Sequence, residues 1–226
     1  MENDRRLEVV FSSIGLDRDY DCLDLDSIPP DLQGWASESP CFRLVFEELR
    51  PEVVIEVGSW KGASVVHMAR LSQELGLATR FICVDTWLGS NPVLWLQPGL
   101  RGSLRLEGGY PTLYRTFLRN IRDAGVQDAV FPLPMTSSAA SQLLLQLGVR
   151  ADLVYLDAGH QEAEVFLDLC YYFNLLRPGG VLLGDDYIAG WPGVVAAADG
   201  FAARRGLSLT PMAEKFLIRK PLAAGT

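Results

Sequence analysis

The 226-residue chain is short of positive charge, of histidine and of closely spaced cysteines. Lys and Arg number 20 against 28 Asp and Glu, giving a formal net charge of −8 and an isoelectric point near 4.8. Nucleic-acid binding needs clustered cations to meet phosphates, so no nucleic-acid partner is expected. The excess of acid is partly local: "DRDYDCLDLDS" (17–27) reads as a solvated face. Two histidines without ligand spacing argue against a zinc site. Cys22, Cys41, Cys83 and Cys170 form no CxxC pair. Cys83 and Cys170 lie inside apolar patterns and read as small buried hydrophobes in a reducing compartment. No run is apolar enough over a sufficient length to span a bilayer, and "MENDRRLEVV" lacks the apolar centre of a signal peptide. A cytoplasmic protein with no membrane partner is expected. Internal repeats and low-complexity segments are also missing.

What is present is a core-forming composition, 49% hydrophobic, in short apolar runs alternating with helical patterns. The runs are "VVIEVG" (53–58), "RFICVD" (80–85), "AVFPLP" (129–134), "DLVYLD" (152–157) and "GVLLGDD" (180–186). Helices are expected near 62–76, 111–124, 137–147 and 161–176, with another over 193–206. In the fourth, Val165, Phe166, Leu169, Tyr172, Phe173 and Leu176 recur at helical spacing until "RPGG" stops it. This alternation predicts an α/β fold whose parallel sheet is covered on both faces. "LSLTP" and "KFLIRK" (215–220) add two edge strands, and residues 1–50 form an N-terminal helical cap. Segment 86–110, rich in Gly and Trp and without a clear period, is expected to be a lid. Its Trp87, Trp95 and Tyr110 are candidates for an apolar or sugar-stacking wall, with core or interface packing an equal use of each.

In open α/β sheets, ligands bind beyond the carboxyl ends of the strands. "GSWKG" (58–62) leaves one such end, where two glycines let a ligand approach the backbone, although packing of helix on strand also uses glycine. The spacing is not the GxGxxG that cradles a dinucleotide pyrophosphate. Asp85 ends the second run, where a carboxylate accepts both hydroxyls of a ribose; a helix cap is its other use. Asp157, Asp185 and Asp186 end two further runs and are expected to converge, although one of them capping a helix and another facing solvent is the other use of such residues. Such carboxylates raise one another's pKa unless a cation offsets them, and oxygen ligands suit Mg²⁺, Ca²⁺ or Mn²⁺. His160, three residues beyond Asp157, falls at the same crevice, where an imidazole can take a proton. His67, within a helical pattern, reads as structural.

Together "VVIEVGSWKGAS", "FICVDTW", "DLVYLDAGH" and "LLRPGGVLLGDDY" resemble the class I S-adenosylmethionine-dependent methyltransferases over about residues 50–187. More narrowly they resemble the metal-dependent O-methyltransferase branch with cephalosporin-hydroxylase-like and macrolide-sugar enzymes. The resemblance implies a three-layer Rossmann-like fold over 51–226, with a seven-stranded, mostly parallel sheet and an antiparallel last strand. It implies that Glu56, Gly58, Ser59, Gly62 and Ser64 surround the methionine part of S-adenosylmethionine. Asp85 and Thr86 would lie at the ribose and Met135 and Ser137 at the adenine, with Asp157 also beside the cofactor. Mg²⁺ would be bound by Asp157, Asp185 and Asp186, with His160 and Asp157 catalytic. Other members place Glu or Asn in one of the paired positions that here are Asp185 and Asp186. The implied partner is a small hydroxylated acceptor; homo-oligomerisation is left open. A nicotinamide-dependent oxidoreductase, which the missing GxGxxG disfavours, and a non-catalytic cofactor-binding protein are the competing classes.

Overall fold

The β-branched and aromatic residues of the predicted runs suit an enclosed pleated surface, and each run forms a strand. The computed structural model describes residues 2–16 and 23–223, with side chains from Leu7 onward; Cys22 and the first part of the acidic run lie outside them. Helices α1 (Glu2–Ser13) and α2 (Pro40–Leu49) precede β1 (Val53–Val57), α3 (Ala63–Glu74) and β2 (Arg80–Asp85). The 86–110 segment is less bare than its composition suggested. It holds α4 (Pro92–Leu96), α5 (Pro98–Arg101) and most of a two-stranded ribbon, β3 (Leu106–Glu107) with β4 (Tyr110–Pro111). There follow α6 (Leu113–Asp123), β5 (Val130–Pro134), α7 (Ser137–Gln146), β6 (Ala151–Leu156) and α8 (Glu162–Leu175). The chain closes with β7 (Leu176–Gly184), α9 (Pro192–Arg205), β8 (Leu209–Met212) and β9 (Lys215–Arg219).

Among the described residues, one seven-stranded sheet runs in the order β5-β2-β1-β6-β7-β9-β8. The first five strands of that order are parallel to their neighbours, and β9 runs antiparallel to both β7 and β8. Alternation along each strand divides the core between two faces. Val54, Phe81, Cys83, Leu153 and Tyr155 pack with residues of α2, α3 and α6. Ile55, Ile82, Val84, Val154 and Leu156 pack with α1, α7, α8 and α9. The fold is the Rossmann-like three-layer sandwich. β7 starts four residues before its predicted position because "LRPGG" is already extended, with Leu176 paired to Ala151.

Strand order reverses between β1 and β6, the switch point at which α/β sheets open a crevice. The chain leaves the sheet there at one level. Gly58 N donates to Val84 O at 2.8 Å, Asp157 N to Val57 O at 2.8 Å, and Asp185 N to Leu156 O at 2.9 Å. Every candidate strand-end residue therefore emerges around one mouth.

Candidate active site

The turn after β1 is shaped by its neighbours. Gly58 has φ +89°, and a Cβ there would lie 2.0 Å from the carbonyl oxygen of Asp157. Gly62 has φ +86°, with Phe117 of α6 3.1 Å from a Cβ. Both positions need glycine for backbone angle and close packing, whatever else approaches them. Glu56 is fully buried beneath this turn. It faces α3, whose Ser64 hydroxyl donates to Oε1, while Cys83 Sγ lies 3.6 Å from Oε2. Burial pushes the Glu56 carboxyl up to about 7. These contacts hold the turn from below. Ser59 is buried alongside, its hydroxyl without a hydrogen bond of good geometry.

Asp85 is held at the tip of β2. Oδ2 accepts the Trp60 N–H at 2.9 Å and Oδ1 the Trp87 N–H at 2.7 Å. The backbone N–H groups of Thr86 and Ser59 also act on this carboxylate. Burial raises its carboxyl above the usual range against the pull of those N–H groups. Thr86 bonds Ser90 at 3.0 Å and caps the Leu88 N–H at 3.2 Å. On the far side of β2, Met135 is half-buried against the core, and the Ser137 carbonyl accepts the Tyr172 hydroxyl at 2.9 Å.

Beyond β6 and β7, Asp157, His160 and Asp186 each offer a ligand atom within 4.8 Å of the others. His160 Nε2 lies 2.6 Å from Asp186 Oδ2, and its ring packs 4.2 Å from that of Trp191. Asp186 reaches across from a left-handed backbone, φ 58°. Burial comes first in pushing the Asp157 carboxyl well above the ordinary range; the charges of Asp185 and Asp186 add to it, and Lys215 opposes. Tyr155 has one hydroxyl proton for two carboxylates, Asp185 Oδ2 at 2.5 Å and Asp157 Oδ2 at 3.2 Å. The shorter bond takes it, leaving Asp157 in want of a proton or a cation.

Asp185 differs from the expected metal set. Its Oδ2 is engaged by Lys215 Nζ at 2.5 Å, so its charge already has a cation. Sequence reading missed Lys215 because a lysine opening an apolar edge strand reads as exposed. Strand alternation, which places it on the same face as Leu217, was the available signal. Asp168 was missed too. It is buried on α8, lines the same cleft as Asp157 and His160, and is pushed up to about 6 by burial.

Of the three aromatics, Trp87 takes the packing role. The chain turns back there (φ 51°), so the indole is 2% exposed, packs on Tyr114 and Phe117, and donates to Trp60 O at 2.7 Å. Trp95 donates to Gly89 O at 2.7 Å, and Tyr110 is exposed. His67 lies within α3 with its ring 5.9 Å from that of Phe42.

A family model described as a methyltransferase domain matches residues 55–187, more than half of the chain. The chain belongs to this family. The match runs from β1 past Asp186 and so spans every strand end described above. Solved structures share the fold of this methyltransferase. The O-methyltransferase NovP aligns with a TM-score of 0.61 at 16% identity, over 96% of this chain and 97% of that one. TomG, an O-methyltransferase from Streptomyces achromogenes involved in tomaymycin synthesis and solved with SAM, aligns at 0.58 and 17% identity, over 99% and 100%. An O-methyltransferase from Bacillus cereus, solved with SAH, aligns at 0.58 and 15%, over 96% and 91%. No curated protein matches the sequence.

Proposed function

We propose that this methyltransferase transfers a methyl group from S-adenosylmethionine to a hydroxyl of a small molecule, a sugar or a secondary metabolite, with a divalent cation such as Mg²⁺ assisting. The observation that carries the reading is the meeting of Asp157, His160 and Asp186 at the switch point, beside the Gly58 turn. The O-methyltransferases that share the fold support the choice of oxygen.

The donor set fits the cofactor. Asp85 would stand at the ribose, where its raised proton affinity favours hydroxyl donors. Glu56, Gly58, Ser59, Gly62 and Ser64 would surround the methionine end. Thr86, Met135 and Ser137 would flank ribose and adenine. When bound, the cofactor supplies an electrophilic methyl group on a sulfonium. The carboxylates fit a cation as well: Asp157 and Asp186, beside His160, are the residues that would hold it. Bound there, a hard cation lowers the pKa of an acceptor hydroxyl.

His160 is the general base of this reading. Asp186 can only accept at Oδ2 when ionised, so the Nε2–H donates to it and Nδ1 is left to take the hydroxyl proton. The Trp191 ring fixes the plane of the imidazole. Residues 51–226 carry this chemistry, and residues 1–50 cap it. The test is incubation with S-adenosylmethionine and a panel of hydroxylated acceptors, read by product mass. A methylated alcohol or phenol, lost on adding chelator, is the expected result; methylation only of amines or thiols contradicts the reading.

A further inference from the structure

Lys215 begins β9 and is fully buried. A buried ammonium is costly unless it is paired, and this one has a specific partner. Its Nζ donates to Asp185 Oδ2 at 2.5 Å, lies 3.3 Å from the Tyr155 oxygen, and sits 5.3 Å from the ring centroids of both Phe42 and Tyr155. Glu214 Oε1 is 3.7 Å away on the solvent side. The carboxylate that Lys215 holds is in turn the support of the site. Asp185 Oδ2 also accepts the Tyr155 hydroxyl, and Oδ1 accepts the Asp186 N–H at 2.8 Å. That last bond fixes the left-handed turn from which Asp186 reaches His160.

We propose that Lys215 is a positioning residue and a built-in cation: it takes the place beside Asp185 that a metal ion would otherwise fill, and so confines a divalent ion to Asp157 and Asp186 beside His160. The inference rests on the metal site proposed above. Lys215 acts through Asp185, whose oxygens are occupied by three donors from β6, β9 and the Asp186 backbone. None of those donors belongs to a mobile ion, so the support of the site is present before any ion arrives.

The probe is Mn²⁺ alone, its binding to the full chain followed by loss of the free-ion electron paramagnetic resonance signal. Lys215→Met leaves Asp185 uncompensated, so the variant should bind Mn²⁺ about tenfold tighter than the wild type, or more. Lys215→Met/Asp185→Asn removes both charges and should bind within about threefold of the wild type, because Asp185 is not a ligand. Unchanged or weaker binding by a folded Lys215→Met chain overturns the proposal. Loss of binding in the double variant makes Asp185 a ligand and also overturns it. If Lys215→Met does not fold, as circular dichroism shows, the double variant decides alone. A wild type that binds no Mn²⁺ contradicts the metal in the proposed function; the gain in Lys215→Met still reads out the role of Lys215.

Discussion

Replacing Glu56 by Gln should change how the stability of this protein depends on pH. The carboxyl is fully buried, and burial raises it from 4.5 to about 7. A carboxyl whose pKa is raised in the folded state binds its proton more tightly there than in the unfolded chain. Its contribution is therefore fully present below the unfolded value and is lost as pH rises through the folded one. The rise from 4.5 to about 7 corresponds to about 3 kcal/mol, at roughly 1.4 kcal/mol per pH unit. About 2.5 kcal/mol of it falls between pH 5 and pH 8. Gln keeps the shape and an oxygen to accept the Ser64 hydroxyl, and it cannot ionise. Urea unfolding of the cofactor-free protein at both pH values should show the variant gaining on the wild type by about 2.5 kcal/mol on going to pH 8. Parallel pH profiles for the two proteins would refute the reasoning, and would mean that water or a cation reaches Glu56.

Further outcomes follow from the same geometry. Gly58→Ala places a Cβ 2.0 Å from the Asp157 carbonyl at φ +89°; it should cost about 2–5 kcal/mol in urea unfolding, and a loss below half a kcal/mol would contradict the packing described. His160→Ala should lower turnover about a hundredfold or more without a matching loss of S-adenosylhomocysteine affinity in calorimetry; near-normal turnover returns the imidazole to a packing role against Trp191. Asp31 receives the buried Lys61 at 2.7 Å and Arg105 of the 86–110 segment at 3.2 Å. Asp31→Ala should cost about 2 kcal/mol or more and speed hydrogen exchange around Arg105, whereas unchanged exchange there would show that Asp31 does not hold the segment.

The sheet was legible because its parallel strands are short apolar runs, most of them closed by Gly or Asp, a pattern that suits burial on both faces. β1, β2 and β6 lie within a residue of their predicted bounds. The Asp residues that close β2 and follow β6 also marked where the crevice opens. Partnership was not legible. Nothing in "MAEKFLIRK" says that Lys215 points at a carboxylate 30 positions away. Spacing along a strand gives the face on which Glu56 lies but not how deeply a helix seals it. Wall and packing both stayed open for Trp87, because an aperiodic segment does not reveal where its backbone turns inward.

Calorimetric titration of the wild type and of Asp85→Ala with S-adenosylhomocysteine and with NAD tests the central claim most directly. The account predicts that the wild type binds S-adenosylhomocysteine and gives no heat with NAD. Asp85→Ala should lose about 1–3 kcal/mol of that affinity through its missing charge-assisted hydrogen bonds. NAD binding with no response to S-adenosylhomocysteine would contradict it.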